Sequence, residues 1–313
     1  NNLARNRNGL PIRSTFSIFI WCAFWHKKWT TTNYRLIAPG QSWIKHSALV
    51  VAAGLQKNTK DKKDNWTPEE IKSIVPDAKV HFGHFFDRVT CPRYFEYLNK
   101  TRSKLKKDIG NIEKIQGLKK QPDINTTVMD SIWLAYETYI QKQSYRLPWV
   151  DKNIMKLKQF SQNLLFNAYQ ETQMKKLSGG PILKDILEEI DLLIKEKSKY
   201  STTSNMTIIT LSQIQFVALL STFFPSGTRY LDKPIDPIYF YPDEGAKLMI
   251  ELHQNKNKKY EIKVYYSYSE IQKLGVLKIP QCDPLGLCDY EHLSKVLEEY
   301  KISDVQQKRL CTK

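Results

Sequence analysis

Apolar positions along the chain alternate between two periods. Over residues 41–55 Ile44, Ala48, Val51 and Leu55 recur at three- and four-residue spacing, which predicts a helix with one buried face. The apolar run Phe16–Trp25 predicts a second, buried helix over 15–29, closed by His26, Lys27 and Lys28. At about ten residues the run is too short to cross a bilayer, so no membrane span is expected. Between the two, Tyr34–Ala38 reads as a short strand, and Ala78–Phe82 as another. Asn58–Asn65 is a charged loop. Thr67-Pro68-Glu69-Glu70 then starts a helix, with an N-cap, a proline and two acids in the first turn.

From about residue 92 to 200 long amphipathic helices dominate. Thr127–Gln143, Asp151–Lys175 and Pro181–Lys197 carry apolar residues at helical period, with Pro148 before the second and Gly179-Gly180 as a break before the third. Met206–Leu211 is then a compact strand that leads directly into the helix Gln213–Phe223. Lys247–Leu252 and Tyr260–Tyr266 alternate across the polar turn His253–Lys259, as a hairpin does. A final helix is expected near Tyr290–Tyr300. Strand–helix units at both ends with helices between them predict an α/β fold: a mixed central sheet flanked by helices, carrying an inserted α-helical cap. The core is expected at 1–84 and 203–313, and the cap at 85–202.

Composition narrows the partners. The chain has 313 residues and a net charge of +16, with short basic runs at Lys57–Lys63 and Lys256–Lys259. Such a balance favours anionic partners, but no zinc-finger spacing, RNA-binding aromatic signature or basic heptad accompanies it. No nucleic-acid partner is therefore expected. The sequons at Asn65, Asn99, Asn125 and Asn205 point to the secretory pathway and mark candidate glycosylation sites. Cys22, Cys91, Cys282, Cys288 and Cys311 fit no metal-ligand spacing. An oxidising compartment would allow two disulfides and one free thiol, taken as Cys22 within the apolar helix. His81-Phe82-Gly83-His84 holds the one close histidine pair, but residues three apart in an extended segment face opposite sides. Neither a metal nor a cofactor is expected.

Several blocks in fixed order resemble the histidine acid phosphatase family, especially its secreted animal and insect-venom branch. They are SALVVAAGL at 47–55, CPRYFEYL at 91–98, VMDSIWLAYETYIQKQSYRLPW from 128, LSGGPILKDILEEI from 177, the hairpin from 246 and LKIPQCDPLGLCDYEHL from 277. The resemblance covers roughly residues 33–313. It implies two bridges, Cys282–Cys288 within the tail and Cys91–Cys311.

The resemblance also implies a chemistry whose residues are missing. That family uses a histidine nucleophile in an Arg-His-Gly-x-Arg-x-Pro segment, further phosphate-binding arginines and a His-Asp pair after a later strand. This chain contains no Arg-His-Gly. Either Arg5 keeps the arginine in LARNRNGLP with Asn6 in the nucleophile's place, or the first residues are an unrelated tail. Counting back from SALVVAAGL puts Trp43 where a later arginine belongs. Ser212 and Gln213 fall where His and Asp belong, and a one-residue shift gives Gln213 and Ile214. The expectation is a pseudoenzyme without catalytic residues.

A cleft re-lined in this way suits a small aromatic amine. Trp43 and Phe85 offer aromatic surface, Asp87 and Asp130 carboxylates, and Ser212 and Gln213 neutral hydrogen bonds. Trp133 lies three residues after Asp130, on the same helix face. Catalytically degraded acid phosphatase-like proteins of flea saliva look similar. That resemblance implies a secreted salivary binder of host biogenic amines such as serotonin and catecholamines, and of leukotrienes. Two alternatives stand beside it: a cationic protein binding sulfated glycans or cell surfaces, and a residually active phosphatase.

Overall fold

A computed structural model describes residues 16–22, 34–38, 42–56, 67–76, 79–82, 91–104, 165–197, 206–224 and, with short breaks, 229–312, together with scattered positions between 152 and 163. The strands are β1 (Phe16–Cys22), β2 (Tyr34–Ala38), β3 (Val80–Phe82), β4 (Met206–Leu211), β5 (Arg229–Tyr230), β6 (Lys233–Pro234), β7 (Lys247–Gln254), β8 (Tyr260–Ser267), β9 (Gly275–Val276) and β10 (Leu287–Asp289). The helices are α1 (Ser42–Gln56), α2 (Pro68–Ile74), α3 (Pro92–Lys104), α4 (Gly180–Lys197), α5 (Gln213–Thr222), α6 (Tyr290–Leu297) and α7 (Asp304–Thr312).

The main sheet runs β10-β8-β7-β1-β4-β2-β3, with β9 also pairing β8; β5 and β6 form a separate ribbon. β2 lies parallel to both β4 and β3, whereas β1 is antiparallel to β4 and parallel to β7. The sheet is therefore mixed, as the sequence predicts. Two-residue alternation divides the buried side chains between its faces. Tyr34, Leu36, Met206 and Ile208 pack with Val50, Ala52 and Ala53 of α1 and with Ile71 of α2. Ile37, Ile209, Leu211, Leu248, Ile250, Ile262 and Val264 join Leu183, Ile186 and Ile190 of α4 and Phe216 and Val217 of α5 in the main core. The central strands thus have apolar neighbours above and below, which is why β4 is buried at all six positions.

Four local expectations change. Residues 16–22 form a strand at the middle of the sheet, not a helix, so Cys22 ends a strand. A short, uniformly apolar run suits either element; its aromatic and β-branched content (Phe16, Ile18, Phe19, Ile20, Trp21) decides for the strand. The break in the helical block falls at residues 169–171, a turn and a bend, not at the glycines. From Thr172 the chain makes one helical turn, a π-helical turn over Lys175–Gly179, and then continues as α4. Gly179 and Gly180 lie inside that run because their neighbours leave no room for a side chain: a Cβ on Gly179 would strike the carbonyl of Ala218, and one on Gly180 that of Tyr300. Finally, α7 follows the expected last helix. On α1 Ile44 and Ala48 are fully buried while Val51 and Leu55 are partly covered, the deepest later positions being Ala52 and Ala53.

Both bridges implied by the resemblance form. Cys91–Cys311 pins the start of α3 to the end of α7 across 220 residues, and Cys282–Cys288 closes a loop in the tail. No helix among the described residues is long and apolar enough to cross a membrane.

Candidate functional site

Parallel pairing brings the carboxyl ends of β2, β3 and β4 to one edge of the sheet. In α/β sheets this edge is where ligands are held. β1, running the other way, begins there, with Phe16 opposite Leu211. Two helices start from the same edge: α1 after β2, and α5 directly after β4. Their amino termini give it a partial positive character. Thr210 Oγ1 donates to the carbonyl of Ile44 at 3.2 Å, tying the end of β4 to the first turn of α1.

Ser212 and Gln213 stand at this edge. Ser212 is the N-cap of α5, and its hydroxyl accepts from the Gln215 N–H at 3.4 Å. Gln215 Oε1 in turn accepts from the Ser212 N–H and hydroxyl, both at 3.0 Å. This reciprocal box satisfies orphan donors of the helix start. The Gln213 amide reaches out of the box and donates to the carbonyl of Pro242 at 2.7 Å. The next residue, Asp243, donates its N–H to Tyr268 O at 2.7 Å, so Gln213 links α5 to the chain beyond β8. Both side chains are neutral and already committed to local bonds.

Trp43 falls on the first turn of α1, at this same edge, although its side chain lies outside the described atoms. Asn6, Phe85, Asp87, Asp130 and Trp133 lie outside the described residues, as do Asn65, Asn125, Asn205 and His84. Asn99 is exposed on α3. Of the expected pocket residues, then, the structure brings Trp43, Ser212 and Gln213 to one edge by backbone position.

Sequence reasoning missed Gln215 and Thr210. The signal for the first was present, since Ser212-x-x-Gln215 is a capping-box pattern. Gln215 is 2% exposed, and its Nε2 has no hydrogen-bond partner among the described residues. The Ser212 N–H requires an oxygen facing it, which fixes the amide's orientation. Among the described residues no cluster of His, Cys, Asp and Glu could hold a metal ion.

The fold is that of the histidine acid phosphatases. It superposes on a phytase from Citrobacter braakii with a TM-score of 0.54 at 10% identity, covering 90% of this chain and 82% of that one. A Hafnia alvei phytase in complex with myo-inositol hexakis sulphate gives 0.54 and 10%, over 93% and 97%. Within that fold the chain is homologous to acid phosphatase-like proteins of the flea Xenopsylla cheopis: it is 28% identical to XcAP-1 over 91% of this chain and 78% of the relative. Bovine lysosomal acid phosphatase is more distant, at 22% identity over 70% of this chain and 50% of the relative. No protein-family model matches the chain.

Proposed function

We propose that the protein is a secreted, non-catalytic binder that sequesters small host mediators, biogenic amines such as serotonin and catecholamines and also leukotrienes, in a degenerate phosphatase pocket. The observation that carries this reading is the state of the β4 carboxyl end. At the positions this reading assigns to the family's His-Asp pair, Ser212 is engaged in a helix cap and Gln213 in a bond to Pro242. Neither side chain changes charge between pH 5 and 8, so neither serves as a proton donor there. The sequence holds no Arg-His-Gly segment, which supports the same reading. Homology to acid phosphatase-like proteins supports the family, and two disulfides fit an oxidising compartment.

The proposed ligand contacts are Trp43 and Phe85 as stacking surfaces, with Trp133 as a further aromatic wall. Asp87 or Asp130 pairs the ammonium, and Ser212 and Gln213 stand at the strand end. Cation–π contact contributes about 0.5–2 kcal/mol and a charged hydrogen bond about 1.5–3 kcal/mol. An abundant binder of this kind lowers free mediator stoichiometrically, without turnover. In this reading residues 85–202 are inserted between the two parts of the core, 1–84 and 203–313, with α4 packed on the sheet itself and the cap built from the rest.

Isothermal titration with serotonin, noradrenaline, histamine and leukotriene C4 tests it, alongside hydrolysis of p-nitrophenyl phosphate. Saturable one-to-one binding, weakened by Trp43→Ala, together with no turnover is the expected result. Heatless titrations with all four, or phosphate release that survives repurification, would sink the proposal.

A further inference from the structure

The β7–β8 hairpin ends in a turn whose shape one side chain dictates. Asn255 Oδ1 accepts from the backbone N–H groups of Asn257 and Lys259, both at 3.0 Å, while its Nδ2 donates to Glu261 Oε1 at 2.9 Å. Two backbone bonds reinforce the turn: Asn255 N–H to Lys259 O and Lys258 N–H to Asn255 O, both 2.9 Å. Lys258 is held at φ 60°, a left-handed conformation that a lysine rarely adopts without such restraint.

This rigid turn presents Lys256, Lys258 and Lys259, all exposed. None of the three is ion-paired among the described residues, and the adjacent acid, Glu261, is engaged by Asn255. Three ammonium groups within four residues, on a backbone already fixed, form a concentrated positive finger that loses little entropy on meeting an anion. From Gln254 to Lys259 the turn has no apolar side chain to enter a bilayer. It has no free aromatic ring to stack on a base either, since Tyr260 packs against the main core. What remains is ammonium and amide donors, the set that fits sulfate groups and sugar hydroxyls. The two disulfides suit an oxidising compartment such as the extracellular space, where sulfated glycans are abundant polyanions.

We infer that the β7–β8 turn is a docking site for a linear sulfated glycan. It is separate from the proposed pocket: β7 and β8 are antiparallel, and the turn joins the ends of these strands remote from Lys247 and Ser267, which pair at their other ends. Such a site would hold the protein on cell surfaces and matrix.

The test measures binding of a short heparin oligosaccharide by the full chain at physiological salt. Three variants are compared with the parent: Lys256→Gln/Lys258→Gln/Lys259→Gln, Asn255→Ala, and a charge-matched control, Lys72→Gln/Lys273→Gln/Lys308→Gln, drawn from exposed lysines elsewhere. The turn variant is expected to weaken Kd about tenfold and the control by less than about twofold, because exposed charges act over roughly a Debye length. Asn255→Ala, which leaves the charge intact, should fall between them. Equal losses in the turn and control variants would overturn the site in favour of diffuse charge. Equal affinity for a DNA duplex or for phosphatidylserine vesicles would overturn the sulfated-glycan assignment. Circular dichroism confirms that each variant is folded before it is scored.

Discussion

Gln307 of α7 donates its side-chain amide to the carbonyl of Leu177 at 2.7 Å, across 130 residues of sequence. Leu177 lies four residues before Pro181, which has no N–H to return along the helix. A helix interrupted at that point would leave a buried carbonyl short of a donor, and the C-terminal helix supplies one. The π-helical turn Lys175–Gly179 ends just before this proline. The tail is therefore part of the core.

Removing that donor should be costly in proportion to its burial. Gln307 is 7% exposed, so Gln307→Leu leaves the Leu177 carbonyl unsatisfied and should lower stability by about 1–3 kcal/mol. Pro181→Ala restores an N–H near the same carbonyl, so the loss from Gln307→Leu should shrink in that background. Urea denaturation of both single variants and the double variant measures the coupling. Strictly additive losses would mean that the two residues do not share the carbonyl.

Lys175 gives a pH signature. It is 1% exposed in the π-turn, donates to the carbonyl of Phe224, and holds its ammonium 5.4 Å from the centre of the Tyr300 ring. Burial lowers its pKa from 10.5 to about 8, against an opposing pull from Glu299. Between those two values the unfolded chain binds more protons than the folded one, so stability rises with pH across the window and is lost as pH falls through about 8. Relative to Lys175→Met, the parent should gain stability between pH 8 and 10.5, by at most about 3 kcal/mol. A difference that is flat with pH would show that the amine remains charged throughout.

Three glycines in helices should respond to alanine in opposite directions. Gly54 in α1 has nothing within 4 Å of an added Cβ, so Gly54→Ala should stabilise by about 0.5–1 kcal/mol through the unfolded state and helix propensity. Gly179→Ala and Gly180→Ala drive a methyl into the carbonyls of Ala218 and Tyr300 and should cost about 1–3 kcal/mol each. Thermal melts of the three variants suffice. A stabilising Gly179→Ala would mean that α5 moves aside without cost.

The same glycines show where sequence reading stops. Met206–Leu211, the hairpin and the Thr67 cap are legible because period, β-branched content and capping chemistry are local properties. Gly179-Gly180 reads as a break because glycine weakens an isolated helix; the close approach of α5 and of Tyr300 that demands it is a tertiary fact with no local trace. Phe16–Cys22 reads as a helix for a related reason: a short, uniformly apolar run carries no two-residue alternation, and its place at the middle of the sheet has no local trace. At the site, Ser212 and Gln213 could be placed at the end of β4 from sequence, but not the bond from Gln213 to Pro242, which joins segments 29 residues apart.

The long bridge should matter more than the short one. Cys91–Cys311 spans 220 residues and fastens α3 to α7, whereas Cys282–Cys288 spans six. In the chain-entropy model the first restrains the unfolded state by about 5 kcal/mol and the second by about 2 kcal/mol. Both ends of the long bridge are buried, so serine pairs at those positions leave small polar groups in an apolar setting and add to the loss. Cys91→Ser/Cys311→Ser should therefore shift the guanidinium midpoint well below that of Cys282→Ser/Cys288→Ser. It should also free α7, seen as faster amide exchange over residues 304–312 than in the parent. Equal midpoints for the two pairs would mean that the unfolded chain stays compact enough for loop length to be irrelevant, and that the tail is held by Gln307 and its apolar contacts instead.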